Sequence, residues 1–181
     1  MLRVSVITVC YNNSQTIEET IKSVVSQDYK NVEYILVDGA STDDTLQIIN
    51  RYKEKITTLV SEKDNGIYFA INKGIALATG DIVAILHADD FYADPAVISK
   101  VVKTFETTQS DTVYGDLQYV DRNETAKIIR NWKAGNYLRD NFLRGWMPPH
   151  PSFFAKRSCY KQFGSFNTTL KSSADYELML R

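Results

Sequence analysis

Two adjacent carboxylates, Asp89 and Asp90, stand shortly after an apolar run at residues 82–86, separated from it by His87 and Ala88. The run is short and contains β-branched residues, and Gly80 lies shortly before it, so it predicts a buried central strand. Because like charges repel and burying a charge is costly, the two carboxylates need a partner. A divalent cation that holds phosphate groups would supply one. The alternative is that Asp90, or Asp94 beyond it, only caps the next helix.

The residues around this strand alternate between predicted strands and predicted helices. Strands are predicted at residues 3–9, 32–37, 57–61 and 82–86, and helices at 16–25, 45–52 and 67–78, the first with a capping box at Thr16 and Glu19. This order predicts an α/β fold with a Rossmann-like, mostly parallel sheet and helices on both faces. In the second half of the chain, the sequence predicts a helix after Asp94, a strand at 112–114 and a hairpin of residues 117–120 and 125–129. A short helix at 156–163 and a last helix after Ser172 or Ser173 follow.

The carboxyl ends of these predicted strands carry acidic side chains. Three of the four ends have aspartate at or just after the strand, namely Asp38, Asp64 and the pair Asp89 and Asp90. Open α/β sheets bind ligands at this edge. The shared position therefore favours a ligand site over a helix cap.

The common nucleotide-binding signatures are absent from the chain. No G-x-G-x-x-G follows the first strand, which argues against a dinucleotide enzyme, and there is neither a P-loop nor a G-x-S-x-G motif. The nearest match to a phosphate cradle is the pair of turns at Ser41 and Gly66, each of which opens a helix whose N-terminus favours anions. With the strand-end acids, these turns predict a nucleotide diphosphate bound with Mg²⁺ or Mn²⁺.

Size and composition indicate one ordinary globular domain. The chain has 181 residues, 44% hydrophobic and 24% charged, with a formal net charge of −1. Without a basic arm or patch, it is not expected to bind a nucleic acid polymer. No apolar run reaches the length that spans a bilayer, and the two cysteines lie far apart, so a reduced cytoplasmic setting is predicted.

A series of short motifs resembles the glycosyltransferases of family 2, which have the GT-A fold. The motifs are VSVITVCYN (4–12), YILVDGASTDDT (34–45), DNGIY (64–68), AINKG (70–74), TGD (79–81), HADD (87–90) and ADYE (174–177). The resemblance implies one GT-A domain over residues 1–181, with a small antiparallel hairpin in its C-terminal half. Residues 1–94 would bind the nucleotide sugar. Residues 95–181 would form the acceptor side, truncated while its last helix is still running.

The resemblance also implies roles for the matched residues. Asp38 would accept a hydrogen bond from a ring N–H of uracil or thymine, Asp90 would ligate the metal, and Asp89 would hold the ribose or assist with the metal. The residues implied around the donor are Thr8, Cys10, Tyr11, Asn12, Asp38, Gly39, Ser41, Asp64, Asn65, Gly66, Asn72, Lys73 and Asp89. Asp175 would be the catalytic base, with Glu177 as the nearest alternative. Trp146 and His150 would lie on the same acceptor side, where aromatic residues form either core or a cleft wall.

These roles imply an inverting glycosyltransferase of hexosyl or N-acetylhexosaminyl type. It would move a sugar from a UDP-sugar to a hydroxyl of a carbohydrate or lipid-linked acceptor, in bacterial polysaccharide or glycolipid synthesis. Location at the inner face of the cell membrane by peripheral contact, and a homodimer, are left open. Two positions depart from the family pattern: Val9 replaces a frequent proline, and Phe69 replaces a frequent aspartate that would contact the donor.

Two other functions remain as alternatives. A sugar-phosphate nucleotidyltransferase would share the architecture, but it needs a glycine-rich loop where this chain has residues 11–14 (YNNS). A non-catalytic or truncated module that binds a nucleotide sugar without transferring it is the other alternative.

Overall fold

The main sheet has six strands, and a separate two-stranded hairpin lies beside it. The computed structural model describes residues 1–181. The strands are β1 (Val4–Cys10), β2 (Val32–Asp38), β3 (Thr58–Ser61), β4 (Ile82–Ile85), β5 (Thr112–Tyr114), β6 (Leu117–Val120), β7 (Ile128–Trp132) and β8 (Phe153–Lys156). The helices are α1 (Ile17–Val25), α2 (Thr45–Asn50), α3 (Ile67–Leu77), α4 (Val97–Thr108), α5 (Arg139–Phe142), α6 (Arg157–Phe163) and α7 (Ala174–Leu180), with 3-10 turns at Lys53–Lys55 and His150–Ser152.

The strand order is β3-β2-β1-β4-β8-β5 in the main sheet and β6-β7 in the hairpin. The first four strands pair in parallel, whereas β8 is antiparallel to both β4 and β5. The predicted α/β fold with a mostly parallel sheet and a small antiparallel hairpin is therefore confirmed. The carboxyl ends of β1, β2, β3 and β4 meet at one edge, as the prediction of a ligand site requires.

Alternate residues of β1 feed two apolar layers, one on each face of the sheet. Val4 and Val6 pack with α1, α2 and α4, while Ile7 and Val9 pack with α3 and α7. The strand is buried along its whole length because it lies in the interior of the sheet and both of its faces are covered. This packing fixes the positions of the loops that follow each strand.

The glycine at position 74 lets α3 lie directly on β1. A Cβ atom there would come within 2.4 Å of Cγ2 of Ile7, which is fully buried. Only a residue without a side chain permits this approach. The close approach brings the start of α3, at Gly66, to the same edge as the strand ends.

Several predicted boundaries differ from the structure. Thr16 occupies the N-cap of α1 but makes no capping hydrogen bond, so the predicted capping box is wrong; the Asn13 carbonyl instead accepts from the N–H of Ile17. The second hairpin strand is Ile128–Trp132, three residues later than predicted at its start. Strand β8 was not predicted as a strand, because a four-residue run carries too little periodicity to identify it.

Candidate active site

The ends of β1, β2 and β4 and the start of α3 surround a cleft of about 960 Å³. We call it the donor cleft. Six of the residues predicted around the donor line it, namely Cys10, Tyr11, Gly39, Asp64, Gly66 and Asp89. The backbone passes close to Tyr11 at Gly39, where an added Cβ would lie 3.4 Å from the Tyr11 ring. The structure thus brings together residues that are up to 79 positions apart in sequence, from Cys10 to Asp89.

Other predicted donor residues hold the wall of the cleft and do not line it. Asn12 has a left-handed backbone (φ 55°); its N–H donates to the Ser41 hydroxyl at 2.9 Å, and its side-chain oxygen accepts from the Thr42 N–H at 2.9 Å. These bonds tie the loop after β1 to the loop after β2. Thr8 is buried and accepts from the Tyr34 hydroxyl at 3.2 Å. Asn65 also lies outside the lining.

The Asp38 carboxylate is fully buried beneath the cleft and is already engaged by the chain. It accepts from the Ser41 N–H at 3.1 Å, from the Ser61 hydroxyl at 2.6 Å, and from the Ser41 hydroxyl. The Cys10 thiol lies 3.6 Å from it, and burial together with this carboxylate raises the pKa of the thiol, which therefore stays protonated. Asp38 thus organises three strand ends, and contact with a base ring remains a prediction.

The two carboxylate oxygens of Asp64 differ, since Oδ1 is paired with a lysine and Oδ2 has no partner. Lys73 donates to its Oδ1 at 2.6 Å and contacts Glu62 at 2.7 Å. Oδ2 of Asp64 is buried and has no hydrogen-bond partner. Because buried polar atoms in folded proteins are normally satisfied, this oxygen indicates a missing donor in the cleft it lines. Lys73 holds Asp64 in place and does not itself line the cleft, so its own contact with the donor stays a prediction.

Asn72, also predicted on the donor side, is used elsewhere. Its amide nitrogen donates to the Phe166 carbonyl at 2.8 Å, and its amide oxygen accepts from the Phe166 N–H at 2.9 Å. It lies outside the lining of the donor cleft. Asn72 thus connects α3 to the segment before α7, and its contact with the donor stays a prediction.

Lys63 lines the cleft and was missed in the sequence. It is exposed and forms no ion pair, so its charge is available to an anion. The start of α3, at Gly66 and Ile67, lines the same cleft and adds a helix N-terminus. The sequence offered one indication of this role for Lys63, namely its position directly before Asp64 in the segment that follows β3.

Asp89 and Asp90 have no partner in the chain. Neither carboxylate forms an ion pair or accepts a hydrogen bond, and α4 begins at Val97, too far along for Asp90 to cap it. Burial, and then the charge of Asp89, raise the pKa of Asp90 to about 6. An unpaired acidic pair fits a divalent cation that takes its other ligands from phosphate and water. No third His, Cys, Asp or Glu joins them as a ligand of the chain.

The other acidic site contains Asp175, His87 and His150. The two imidazole rings are 5.5 Å apart, and His150 also packs edge-on against Phe166 at 5.7 Å. Burial lowers the pKa of both histidines, and the negative charge of Asp175 acts on both in the opposite direction. Both imidazoles are therefore neutral at pH 7. His87 also lines the donor cleft, which connects this cluster to the donor side.

The other residues predicted on the acceptor side, Glu177 and Trp146, are both engaged by the chain itself. Glu177 forms an ion pair with Arg181 at 3.0 Å, so it is occupied where Asp175 is not. Trp146 donates its indole N–H to the Ala134 carbonyl at 3.0 Å and packs against Phe142 at 5.2 Å. Trp146 is thus part of an aromatic cluster that fixes the acceptor side. Phe69 is 39% exposed and does not line the donor cleft.

Known proteins with similar sequences are glycosyltransferases. The model of the family "Glycosyl transferase family 2" matches residues 5–161. An uncharacterized glycosyltransferase of Mycobacterium tuberculosis is 30% identical over 180 residues, covering 98% of this chain and 68% of the relative. A PGL/p-HBAD biosynthesis glycosyltransferase of Mycobacterium bovis is 29% identical over 181 residues, with the same coverage.

Solved structures with the same fold come from two distant sources. TarS 1–349 of Staphylococcus aureus in complex with UDP-GlcNAc superimposes with a TM-score of 0.78 at 21% identity, over 98% of this chain and 52% of that one. The mannosyltransferase PcManGT of Pyrobaculum calidifontis, with GDP-Man and Mn²⁺, gives 0.75 at 26% identity, over 98% and 50%. The chain spans about half the length of these structures. It belongs to glycosyl transferase family 2 and has the GT-A fold.

Proposed function

We propose that this chain transfers a sugar, with inversion, from a UDP-sugar to a hydroxyl group of an acceptor, with a divalent cation as cofactor. One observation carries the proposal. The donor cleft has an unpartnered buried oxygen of Asp64 on one side and the unpaired carboxylate of Asp89 on the other, and Asp90 follows Asp89 directly in the chain. A nucleotide diphosphate with a cation supplies hydrogen-bond donors to the first and positive charge to the second.

The donor side has the groups needed to hold a diphosphate. Lys63 and the N-terminus of α3 offer positive charge and free N–H groups within the cleft. Asp64 Oδ2 would accept from the ribose or the base, held in place by Lys73. The structural relatives bind UDP-GlcNAc in one case and GDP-Man with Mn²⁺ in the other. These complexes support a nucleotide sugar and a metal for this chain as well.

The acceptor side must remove a proton. A sugar or alcohol hydroxyl loses its proton too reluctantly to attack unaided, so a positioned carboxylate takes it as the new bond forms. We assign this role to Asp175, which has no ion pair, whereas Glu177 is paired with Arg181. Burial lowers the pKa of His87 and His150, so both are neutral at pH 7 and neither offers Asp175 a cation to pair with.

The donor side must stabilise the negative charge of the nucleotide diphosphate that leaves. The bond between the anomeric carbon and the diphosphate oxygen breaks, and negative charge develops on the departing nucleotide. A bound cation would supply electrostatic stabilisation of this charge. Lys63 and the α3 N-terminus would hold the same group through charge and hydrogen bonds. With the base on the opposite side of the sugar, a single displacement inverts the anomeric configuration.

Titration with UDP, with and without Mn²⁺, tests the donor side. We expect Mn²⁺ to tighten UDP binding at least tenfold in the wild type and much less in Asp90→Ala. Binding that ignores Mn²⁺ would contradict the metal-dependent proposal. Asp175→Asn is expected to bind UDP as the wild type does and to lose transfer to acceptor by 100-fold or more, the range of a general base.

A non-catalytic module remains the competing function, and one comparison separates the two. A transferase releases UDP from a UDP-sugar faster when the correct acceptor is added, whereas a binding module does not. The acceptor class that we propose is a carbohydrate or a lipid-linked sugar in polysaccharide or glycolipid synthesis. No helix of the structure is long and apolar enough to cross a bilayer. Peripheral membrane contact, a cytoplasmic location and a homodimer remain predictions. Membership of family 2 leaves no support for a nucleotidyltransferase.

A further inference from the structure

A second cavity, of about 900 Å³, opens beside the donor cleft. It lies between α4, the ends of β5 and β8, and the hairpin formed by β6 and β7. We call it the hairpin groove. Residues that define it include Val101 and Thr104 of α4, Phe154 of β8, and Leu117 and Trp132 of the hairpin. Its volume is within the range of small-molecule sites.

Apolar side chains form most of the hairpin wall of this groove, and Gln118, Asn131 and Lys133 also line it. Leu117 and Trp132 are directly opposed in the hairpin register, so their side chains share one face. Tyr119, two residues further along β6, lines the groove and is 45% exposed. Its ring also carries the Arg130 guanidinium at 5.5 Å. The wall therefore presents aromatic and aliphatic surface to solvent.

The hairpin has no strand partner that would bury this wall. It forms a sheet of its own, and two-stranded sheets are marginally stable in water. The Ala134 N–H donates to Asp116 at 2.8 Å and closes the base of the hairpin, while the side chains of Arg122 and Thr125 contact Gln15 and Glu19 at the start of α1 and tie the hairpin to the body. These ties hold the hairpin away from α4, so the groove between them stays open. An apolar ligand there would bury surface that the fold leaves exposed.

The groove ends at the reaction centre. Asp89 lines both the donor cleft and the hairpin groove, and Asp90 lines the groove. The turn His150–Ser152 borders the groove through Pro151 and Ser152, while its first residue packs against His87, which lines the donor cleft. A molecule in the groove therefore has one end near the metal carboxylates and this turn, and the rest along the hairpin wall.

We propose that the hairpin groove binds the alkyl or aryl portion of an amphiphilic acceptor, whose hydroxyl-bearing head lies where the groove meets the turn His150–Ser152. The inference rests on the proposed function, because it names the acceptor class of the same site. The groove does not favour a large anionic ligand, since the carboxylates of Asp89, Asp90 and Asp116 line it against two lysines, Lys133 and Lys100, and Lys100 is paired with Asp94 at 2.8 Å. An uncharged apolar tail avoids that repulsion.

Binding of alkyl glucosides can be measured without a donor, because Trp132 is in the wall. We expect methyl, hexyl and octyl β-glucoside, each below its micelle concentration, to bind with rising affinity and to change Trp fluorescence. Each buried methylene should tighten binding by up to about fourfold. Trp132→Phe should lose the fluorescence change. Equal affinity for methyl and octyl glucoside would overturn the proposal.

Two threonines of α4 provide a matched pair of variants. Thr104 lines the groove, whereas Thr107 is exposed on the same helix, and both hydroxyls donate to the carbonyl four residues earlier at 2.9 Å. Thr104→Phe fills the groove and should weaken octyl glucoside binding at least tenfold, while Thr107→Phe should not. Thr104→Gln, which makes the floor polar, should weaken it as well. Octyl glucoside binding that survives both Thr104 variants would overturn the proposal.

UDP binding with Mn²⁺ separates this inference from the proposed function. If each variant binds UDP as the wild type does, it is folded and its loss of glucoside binding belongs to the groove. If the wild type binds octyl glucoside but not UDP, the proposed function fails and the groove is an apolar site of another kind. If the wild type binds UDP and shows no preference for longer alkyl chains, only the groove inference fails.

Discussion

The charged form of the Asp90 carboxyl group is destabilised, because it is buried and has no partner in the chain. Burial and Asp89 raise its pKa from 3.8 to about 6. The folded state therefore holds the Asp90 proton more tightly than the unfolded state, so this contribution to stability is present below pH 4 and is lost as the pH rises through 6. Above that pH the charge costs up to about 3 kcal/mol without metal. Asp90→Asn removes the cost.

We expect Asp90→Asn to melt several degrees higher than the wild type at pH 7.5 in EDTA, and to show no such gain at pH 4. Thermal unfolding at the two pH values measures this. Asp94→Asn is the control, because Asp94 is exposed and its ion pair with Lys100 lowers its pKa, so its removal should not stabilise the protein. A gain in Asp90→Asn that is equal at both pH values would mean that its charge is not the cause.

Lys63 offers a second prediction at the scale of the residue. Its ammonium lines the donor cleft without an ion pair, so a diphosphate is its expected partner. We expect Lys63→Ala to weaken UDP binding about 5- to 30-fold and uridine binding hardly at all, since uridine has no phosphate. Calorimetric titration of both ligands measures the difference. Lys30→Ala, an exposed lysine outside the cleft, should change neither affinity.

At the scale of the element, the position of α3 depends on one missing side chain. Alanine at position 74 would gain about 1 kcal/mol of helix propensity. It would also place a Cβ 2.4 Å from Ile7 Cγ2, in a strand enclosed on both sides, and overpacking of this kind costs about 1–3 kcal/mol. We expect a net loss of up to about 2 kcal/mol for Gly74→Ala in urea unfolding. Ala76→Gly, at an exposed position of the same helix, should lose about 1 kcal/mol through propensity alone.

The elements also explain how far the sequence could predict the structure. Strands β1, β2 and β4 and helices α1, α3 and α4 were predictable, because each has enough apolar residues to establish a period. Strand β8 was not, because residues 153–156 become a strand only through pairing with β4 and β5. The same limit applies to the site. Asp64, Asp89 and Gly66 were found from strand ends, whereas the meeting of His87 with His150 depends on β8 lying beside β4.

At the scale of the whole molecule, the donor and acceptor sides must be held at a fixed separation for transfer. The sheet contributes to this fixed separation, since β4 leads to Asp89 at its carboxyl end and pairs with β8 along its edge. Asn72 does another part. Its two hydrogen bonds to Phe166 join α3, which begins in the donor cleft, to the segment that leads to Asp175. Phe166 in turn packs against His150 and Tyr68.

Asn72→Ala separates this connecting role from the donor contact that the sequence implied. Removal of the amide leaves the Phe166 N–H and carbonyl without their partners, at a cost of about 1–3 kcal/mol, and loosens the segment before Asp175. We expect transfer to fall at least tenfold while the affinity for UDP with Mn²⁺ stays within twofold of the wild type. Steady-state transfer rates and UDP titration on the same preparation measure the two quantities. If UDP affinity falls as much as transfer does, Asn72 contacts the donor and the implied role is right. If transfer is unchanged, the bridge to Phe166 does not position the base.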